Sequence, residues 1–439
     1  MLEWYWSALL LVGLMLGLMA IGTPAGFAMG LTAVIMIVAF LGPANLLVLA
    51  NLAFDRGTEN EFIVAPLFIF MAALVAYSGV AEDAYVAAAR WLNRLPGSLA
   101  LASTAACSVF AGVSGSSVAD SVTVGTFAIP QMVRQGYDRR LAVGSIAAAG
   151  TLGILIPPSV SMVIFGIITE TSVGQLFIAG VIPGILLSLV LMGYIYVLAR
   201  LRPDLAPRAG VFTWRERFQS LVPVWGILVL FALVMGSMYT GVATTTEAAA
   251  VGAIGALVLM AVRRRLTWAR LVDSVRRAAE VTCMVAMLLL GGFALSYVAG
   301  ALGIAHGLAD AILHTNLSPL AVILLYNLLL LVLGAPLETS TLIVITMPLL
   351  FPAFLSLGFN PLWLGVITTI NSEIGSISPP SGLVLFGLKT ILPRDFTTRD
   401  LFMSALPFCG VLIVFLLLMI AFPQVSTWLP SQMAQTAGR

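Results

Sequence analysis

Apolar stretch follows apolar stretch along this 439-residue chain, with only short charged interruptions. Most approach the ~20 residues that cross a bilayer as a helix. In hydrocarbon every backbone N–H and C=O must find its partner inside the chain, which leaves helices and closed barrels as the available folds. Strand-period alternation is absent, which rules against a barrel. Charged residues make up 9% of the chain, against about 25% in soluble proteins, so such a surface could not be kept in water. The expected fold class is an all-α polytopic membrane protein embedded in the lipid bilayer.

Spans are predicted at roughly 4–21, 25–42, 62–80, 141–168, 176–199, 221–240, 246–262, 279–300, 362–388 and 402–423. Positive charge falls in clusters at Arg90 and Arg94, Arg134 to Arg140, Arg200 to Arg217, Arg263 to Arg277, and Lys389 to Arg399. None is interleaved with aromatics in a soluble domain, so no nucleic-acid partner is expected. Cys107, Cys283 and Cys409 lie in apolar segments and lack metal-ligand or disulfide spacing. His306 and His314 flank Asp310 on a segment that reads as an interfacial helix. The N-terminus lacks a basic leader and a small-residue cleavage site, and is expected to be a first transmembrane helix.

Two regions depart from ordinary spans. Residues 98–133 are apolar at both ends and polar between, at AGVSGSSVAD (Ala111 to Asp120); residues 317–356 repeat the design around GAPLETST (Gly334 to Thr341). Each reads as a re-entrant hairpin with its tip at mid-membrane. Cytoplasmic loops carry the excess of Arg and Lys. Putting every basic cluster on that face makes the first hairpin enter from the cytoplasm and the second from outside, with both termini periplasmic. Each hairpin precedes a span interrupted by a proline pair, GTLGILIPPSVSMVIFG (Gly150 to Gly166) and NSEIGSISPPSGLVLFG (Asn371 to Gly387). Hairpin plus broken helix, twice and in opposite orientation, reads as two inverted-topology repeats. The expected divisions are N-terminal scaffold helices at 1–97, a first repeat at 98–200 and a cytoplasmic linker at 201–220. Second scaffold helices with an interfacial segment take 221–316, a second repeat 317–400, and a C-terminal helix with its tail 401–439.

Proline lacks an N–H and clashes with the preceding turn, so Pro157-Pro158 and Pro379-Pro380 must interrupt their helices. Freed carbonyls and serine hydroxyls form a hard-oxygen set suited to Na⁺, and half-helix N-termini favour an anion. Asp120, Glu338 and Glu373 lie beside the tips or the second break, where a charge is costly and is a functional candidate by default; capping of a half-helix is the competing reading for Asp120 and Glu338. Thr244-Thr245-Thr246-Glu247 reads as a structural capping box, and Glu170 as an outer-interface residue. No HExxH, phosphate loop, or Ser–His pair at membrane depth is present, and Ser116 or Ser117 with Asp120 lacks a base, so no enzyme is expected. A channel would need a continuous pore, whereas midplane breaks favour alternating access.

SGSSVAD (Ser114 to Asp120), IPQMVRQGYDRRLA (Ile129 to Ala142) leading into GTLGILIPPS, AGVIPGILL (Ala179 to Leu187) and NSEIGSISPPSG (Asn371 to Gly382) together resemble the large membrane subunit, DctM type, of tripartite ATP-independent periplasmic (TRAP) transporters. The resemblance covers essentially the whole chain. It implies a sodium-driven, elevator-type importer in the bacterial inner membrane. Its partners would be a small four-helix membrane subunit and a periplasmic solute-binding protein that delivers a small organic acid. No cofactor is implied, Na⁺ being the coupling ion. One ion site would use Ser114, Gly115, Ser116 and Ser117 with Pro157, Pro158 and Ser159. The other would use Gly334 and Glu338 with Ser378, Pro379, Pro380 and Ser381. Substrate would lie between, near Ser117, Asp120, Ser159, Thr339, Asn371 and Ser381. The chain departs from the family in Thr244-Thr245-Thr246-Glu247, usually Thr-Pro-Thr-Glu, and in Glu338, commonly Asp. The alternative reading is a Na⁺- or H⁺-coupled anion transporter of similar architecture that works without a binding protein.

Overall fold

The computed structural model describes residues 3–207, 212–314, 317–380 and 382–437. The described residues build helices and form no strand. Five α-helices precede the first hairpin: α1 (Trp4–Ala20), α2 (Ala25–Met36), α3 (Leu46–Gly57), α4 (Asn60–Ser78) and α5 (Val80–Leu92). The first hairpin is α6 (Ser98–Ser114) and α7 (Ser117–Arg134), and its broken helix is α8 (Arg139–Gly150) and α9 (Val160–Thr169), followed by α10 (Val173–Leu201). Next come α11 (Trp214–Leu221), α12 (Trp225–Tyr239), α13 (Thr245–Val262), α14 (Trp268–Ala301) and α15 (Ile304–His314). The second hairpin is α16 (Pro319–Gly334) and α17 (Thr339–Ser356); α18 (Pro361–Ile377) and α19 (Leu383–Lys389) form the second broken helix, and α20 (Thr398–Ala421) and α21 (Gln424–Ala437) complete the order.

Five of these helices, α10, α13, α14, α17 and α20, are long and apolar enough to cross a membrane, and seven spans result if each of two bent pairs counts as one. Their outer faces, with that of α16, carry bare hydrocarbon: Ile254, Val258, Leu328, Val332, Val414 and Leu417 are all exposed. A contiguous surface of this kind belongs in lipid. The chain is a polytopic all-α membrane protein.

Four segments that read as loops, linker or tail contain helix. The basic stretch 263–277 is largely the beginning of the 34-residue α14, which Thr267 caps by accepting the Arg270 N–H. Arg is a good helix former, and Arg276 pairs with Asp273 and Glu280 at 3.4 and 3.5 Å along the helix. Charge therefore hides about the first three turns of the helix from an apolar reading. In the linker, Thr213 and Glu216 make a reciprocal capping box that opens α11. The segment 43–61 between two predicted spans contains α3, and the tail contains α21. The box at Thr244 and Glu247 opens α13 as expected, and His306, Asp310 and His314 are exposed on α15.

Direct contacts stitch the basic clusters together at one end. Arg90 donates to the Glu216 carbonyl at 3.1 Å, and Arg217 donates to Asn93 at 2.8 Å. The Asp138 N–H meets the Leu205 carbonyl at 2.9 Å. Arg139 pairs with Asp395 at 2.7 Å, Arg140 with Asp400 at 2.9 Å, and Arg263 with Asp83 at 2.5 Å. Arg139 holds the Asp395 carboxyl below its ordinary range by hydrogen bonding to its charged form. At the other end of the α8–α9 path, exposed Glu170 pairs with Arg56 at 2.8 Å. The Trp363 indole, near the start of α18, donates to the Met419 carbonyl near the end of α20 at 2.8 Å.

Each proline pair is joined by a cis peptide bond, and each is approached by a glycine that lets a hairpin tip seat directly on the broken helix. A Cβ at Gly153 would stand 2.8 Å from the Ser116 carbonyl oxygen; one at Gly375 would stand 2.7 Å from the Gly334 carbonyl carbon. Backbone cannot yield as a side-chain end can. Gly375→Ala is expected to destabilise the protein by about 1–3 kcal/mol through overpacking, despite the better helix propensity of alanine. Gly13→Ala, with nothing within 4 Å, is the control, and thermal unfolding in detergent compares the two. Equal midpoints would mean that the tip does not seat as described.

Candidate functional site

The two hairpin tips and the two broken helices meet around a single small cavity of about 110 Å³. Gly115, Ser116, Ser117 and Val118 come from the first tip; Glu338, Thr339 and Ser340 come from the second. Val160 and Ser161 open α9, Leu383 and Val384 open α19, and Glu373 and Ser376 come from the last turns of α18. Val281, Met284 and Val285 of α14 make an apolar wall. The N-terminal turns of α7, α9 and α17 thus converge on one place, with the start of the short α19 beside them. Each N-terminus presents unpaired N–H groups and a partial positive charge.

Within this ring the hydroxyls divide by task. Ser116 accepts the Ala119 N–H at 3.4 Å, and Ser159 accepts the Met162 N–H at 3.3 Å, so both are N-caps of their half-helices. Gly115 makes the turn before Ser116 in the left-handed region, at φ +63, with the Pro158 carbonyl 3.0 Å from where a Cβ would stand. Ser161 is buried beside the cavity, and its hydroxyl caps no helix. Glu338 precedes α17 without capping it, and its side chain is exposed to the cavity.

Glu373 is the most connected carboxylate. It is 3% exposed, accepts from the Thr339 hydroxyl at 3.2 Å and from Ser376 at 3.3 Å, and has Ser117 of the first tip within reach. It gathers groups from both hairpins. Asp120 stands one turn behind the first tip, fully buried, with Ser114 as its polar neighbour and the Gly153 backbone against it. Neither Asp120 nor Glu338 caps its helix, and the capping reading of both gives way to Ser116 in the first case and to an open N-terminus in the second.

Of the residues named from sequence, Gly115, Ser116, Ser117, Glu338 and Thr339 line the cavity. Ser114, Asp120, Pro157, Pro158, Ser159 and Gly334 stand behind the lining, all buried. Pro379 and Pro380 are exposed, and the Ser378 hydroxyl bonds the Gly375 carbonyl at 3.2 Å. Asn371 sits between helices, donating to the Asn327 side-chain oxygen at 2.7 Å and its carbonyl at 2.9 Å. Ser381 lies outside the described residues. Ser161, Ser340 and Ser376 join the site without standing out in the sequence. The signal that could have found them is spacing, each being one to three residues from a tip or break serine, threonine or carboxylate.

A polytopic helical protein with paired hairpins and broken helices around one polar cavity is a membrane transporter by architecture. The profile of the tripartite ATP-independent periplasmic transporter, DctM component, matches residues 12–425, and the chain belongs to this family. Among its relatives, the C4-dicarboxylate TRAP transporter large permease protein DctM of Pseudomonas aeruginosa is 36% identical over 408 residues, covering 92% of this chain and 94% of that one. Its counterpart in Vibrio cholerae is 34% identical over 445 residues, covering 96% and 97%. In fold alone, the chain is similar to the Neisseria gonorrhoeae MtrF structure, with TM-score 0.63 and 14% identity over 88% of this chain and 85% of that one. The two DctM relatives are transporter permeases, and this chain is a large permease subunit rather than an enzyme.

Ser159→Ala should cost about 0.5–2 kcal/mol of stability, as the loss of an N-cap does. Ser161→Ala should leave the unfolding midpoint in place and lower transport instead. Reversed outcomes would exchange the roles of the two serines.

Proposed function

We propose that this chain is the transport subunit of a Na⁺-coupled importer of a small organic acid, which it receives from a periplasmic binding protein. The observation that carries this reading is the convergence of half-helix N-termini and two carboxylates on one cavity. The N-termini favour a bound anion. Glu338 and Glu373 line the same cavity and in their ionised forms oppose that anion by like-charge repulsion. A cation bound with the anion offsets that repulsion, and hard oxygen groups at tip and break suit Na⁺. The C4-dicarboxylate transport named for both permease relatives supports an organic acid as the solute.

The coupling-ion sites are proposed at the two tips with their breaks, Ser114–Ser117 with Pro157–Ser159 and Gly334–Glu338 with Ser378–Ser381, and the substrate between them. The 98–200 and 317–400 segments are proposed as inverted repeats that move against the remaining helices in an elevator. The gathering of the basic clusters at one end supports a cytoplasmic face there, in a bacterial inner membrane. A small four-helix membrane subunit would enlarge the fixed part.

Reconstitution tests the assignment. In liposomes with a Na⁺ gradient, the chain alone should move little solute, and uptake should appear only with its small membrane subunit and the loaded binding protein. Robust uptake by the isolated chain, indifferent to the binding protein, would favour the binding-protein-independent alternative. Orientation is tested separately: single cysteines at Arg94 and Gly136 should react only from inside, and those at Ser318 and Gly358 only from outside. Both pairs reacting from one face would end the inverted-repeat reading.

A further inference from the structure

A second cavity, of about 480 Å³, lies at the basic end between the last turns of α7, the first turns of α8 and the segment after α19. Ile129, Pro130, Val133, Val143, Ile391 and Leu392 supply apolar walls, and Arg134 and Arg139 supply charge. The charges are ordered along the helices. Arg134 is in the last turn of α7 and Arg139 begins α8, whereas Ile129, Pro130 and Val143 lie about a turn deeper. Charge at the membrane surface with hydrocarbon just below it is the polarity profile of a lipid.

The neighbouring acids compensate Arg139 and leave Arg134 as the uncompensated charge of the site. Asp395 pairs with Arg139, Asp400 pairs with Arg140, and Asp138 accepts the Arg140 and Leu141 N–H groups as the cap of α8. Arg134 is exposed and has no acidic partner among the described residues. A small dicarboxylate could satisfy the guanidinium but would leave the apolar walls uncovered. We propose that this cavity binds an anionic phospholipid of the adjoining leaflet, its phosphate on Arg134 beside Arg139 and one acyl chain along Ile129, Pro130, Val133 and Val143. Basic pockets between transmembrane helices on the cytoplasmic side recognise such headgroups by the same combination of charge and depth. A bound lipid would bridge the first hairpin, the first broken helix and the end of the second, independently of which solute is carried.

Native mass spectrometry of the full chain, purified with phosphatidylglycerol and phosphatidylcholine in equal amounts, measures the preference directly. Wild type should retain phosphatidylglycerol over phosphatidylcholine by about fivefold or more, from the anionic headgroup term. Arg134→Gln should bring the two lipids to parity. Val143→Phe, which fills the apolar part and leaves the charges, should lower phosphatidylglycerol retention, and Arg94→Gln, at the same end but outside the cavity, should change neither. Equal retention of both lipids by wild type, an undiminished preference in Arg134→Gln, or undiminished phosphatidylglycerol retention in Val143→Phe would overturn the assignment. Displacement by soluble glycerol phosphate as effective as by lipid would also overturn it, because the walls would then contribute nothing.

Discussion

Unpaired backbone in hydrocarbon is the constraint from which the rest of this structure follows. Each proline pair removes two N–H donors from its helix and frees carbonyls of the preceding turn, a loss that lipid cannot make good. The chain answers by bringing a second interrupted element, the hairpin tip, against each break. Gly153 under Ser116 and Gly375 under Gly334 make that seating possible, because each allows backbone to touch backbone. What results is a small polar interior assembled from interruptions, enclosed by helices whose other faces are apolar.

The two halves solve this problem differently. In the first, Pro157 and Pro158 are buried, and Ser116 and Ser159 close their half-helices with their own hydroxyls. In the second, Pro379 and Pro380 are exposed, Glu338 leaves α17 uncapped, and Gly382 begins α19 without a side-chain acceptor. The helix starts of the first half are therefore the more satisfied, and those of the second leave more N–H groups to whatever enters. Similar motifs do not make equivalent sites.

Much of the fold is legible in the sequence because hydropathy and proline act locally. Both hairpins, both breaks and the capping box at Thr244 follow from runs of a few residues. Helices that carry charge are less legible: α11 and the beginning of α14 are held by Thr213–Glu216 and by Arg276 with its acidic neighbours, contacts that no apolar window reports. At the site, composition identifies the tips but does not assign tasks among their hydroxyls. Ser159 and Ser161 are two residues apart, yet one caps a helix and the other faces the cavity, a distinction set by where α9 begins. Glu373 illustrates the same limit, since its importance lies in reaching Thr339 and Ser117 from elements far apart in the chain.

The wall that α14 gives to the cavity has a mechanical consequence. Val281, Met284 and Val285 face a ring of serines, threonines and carboxylates, and offer it no hydrogen-bonding group beyond a thioether. The helix is 34 residues long, about 50 Å at 1.5 Å per residue, which exceeds the ~30 Å of hydrocarbon in a bilayer. Polar groups bonded among themselves and resting on methyl and methylene surface have no directional bonds to break when they shift along it. Dispersion attraction surrendered at one position is recovered at the next, since it depends on proximity and not on direction. Such a surface holds the polar ring by fit alone, with no hydrogen bond tying it to the wall.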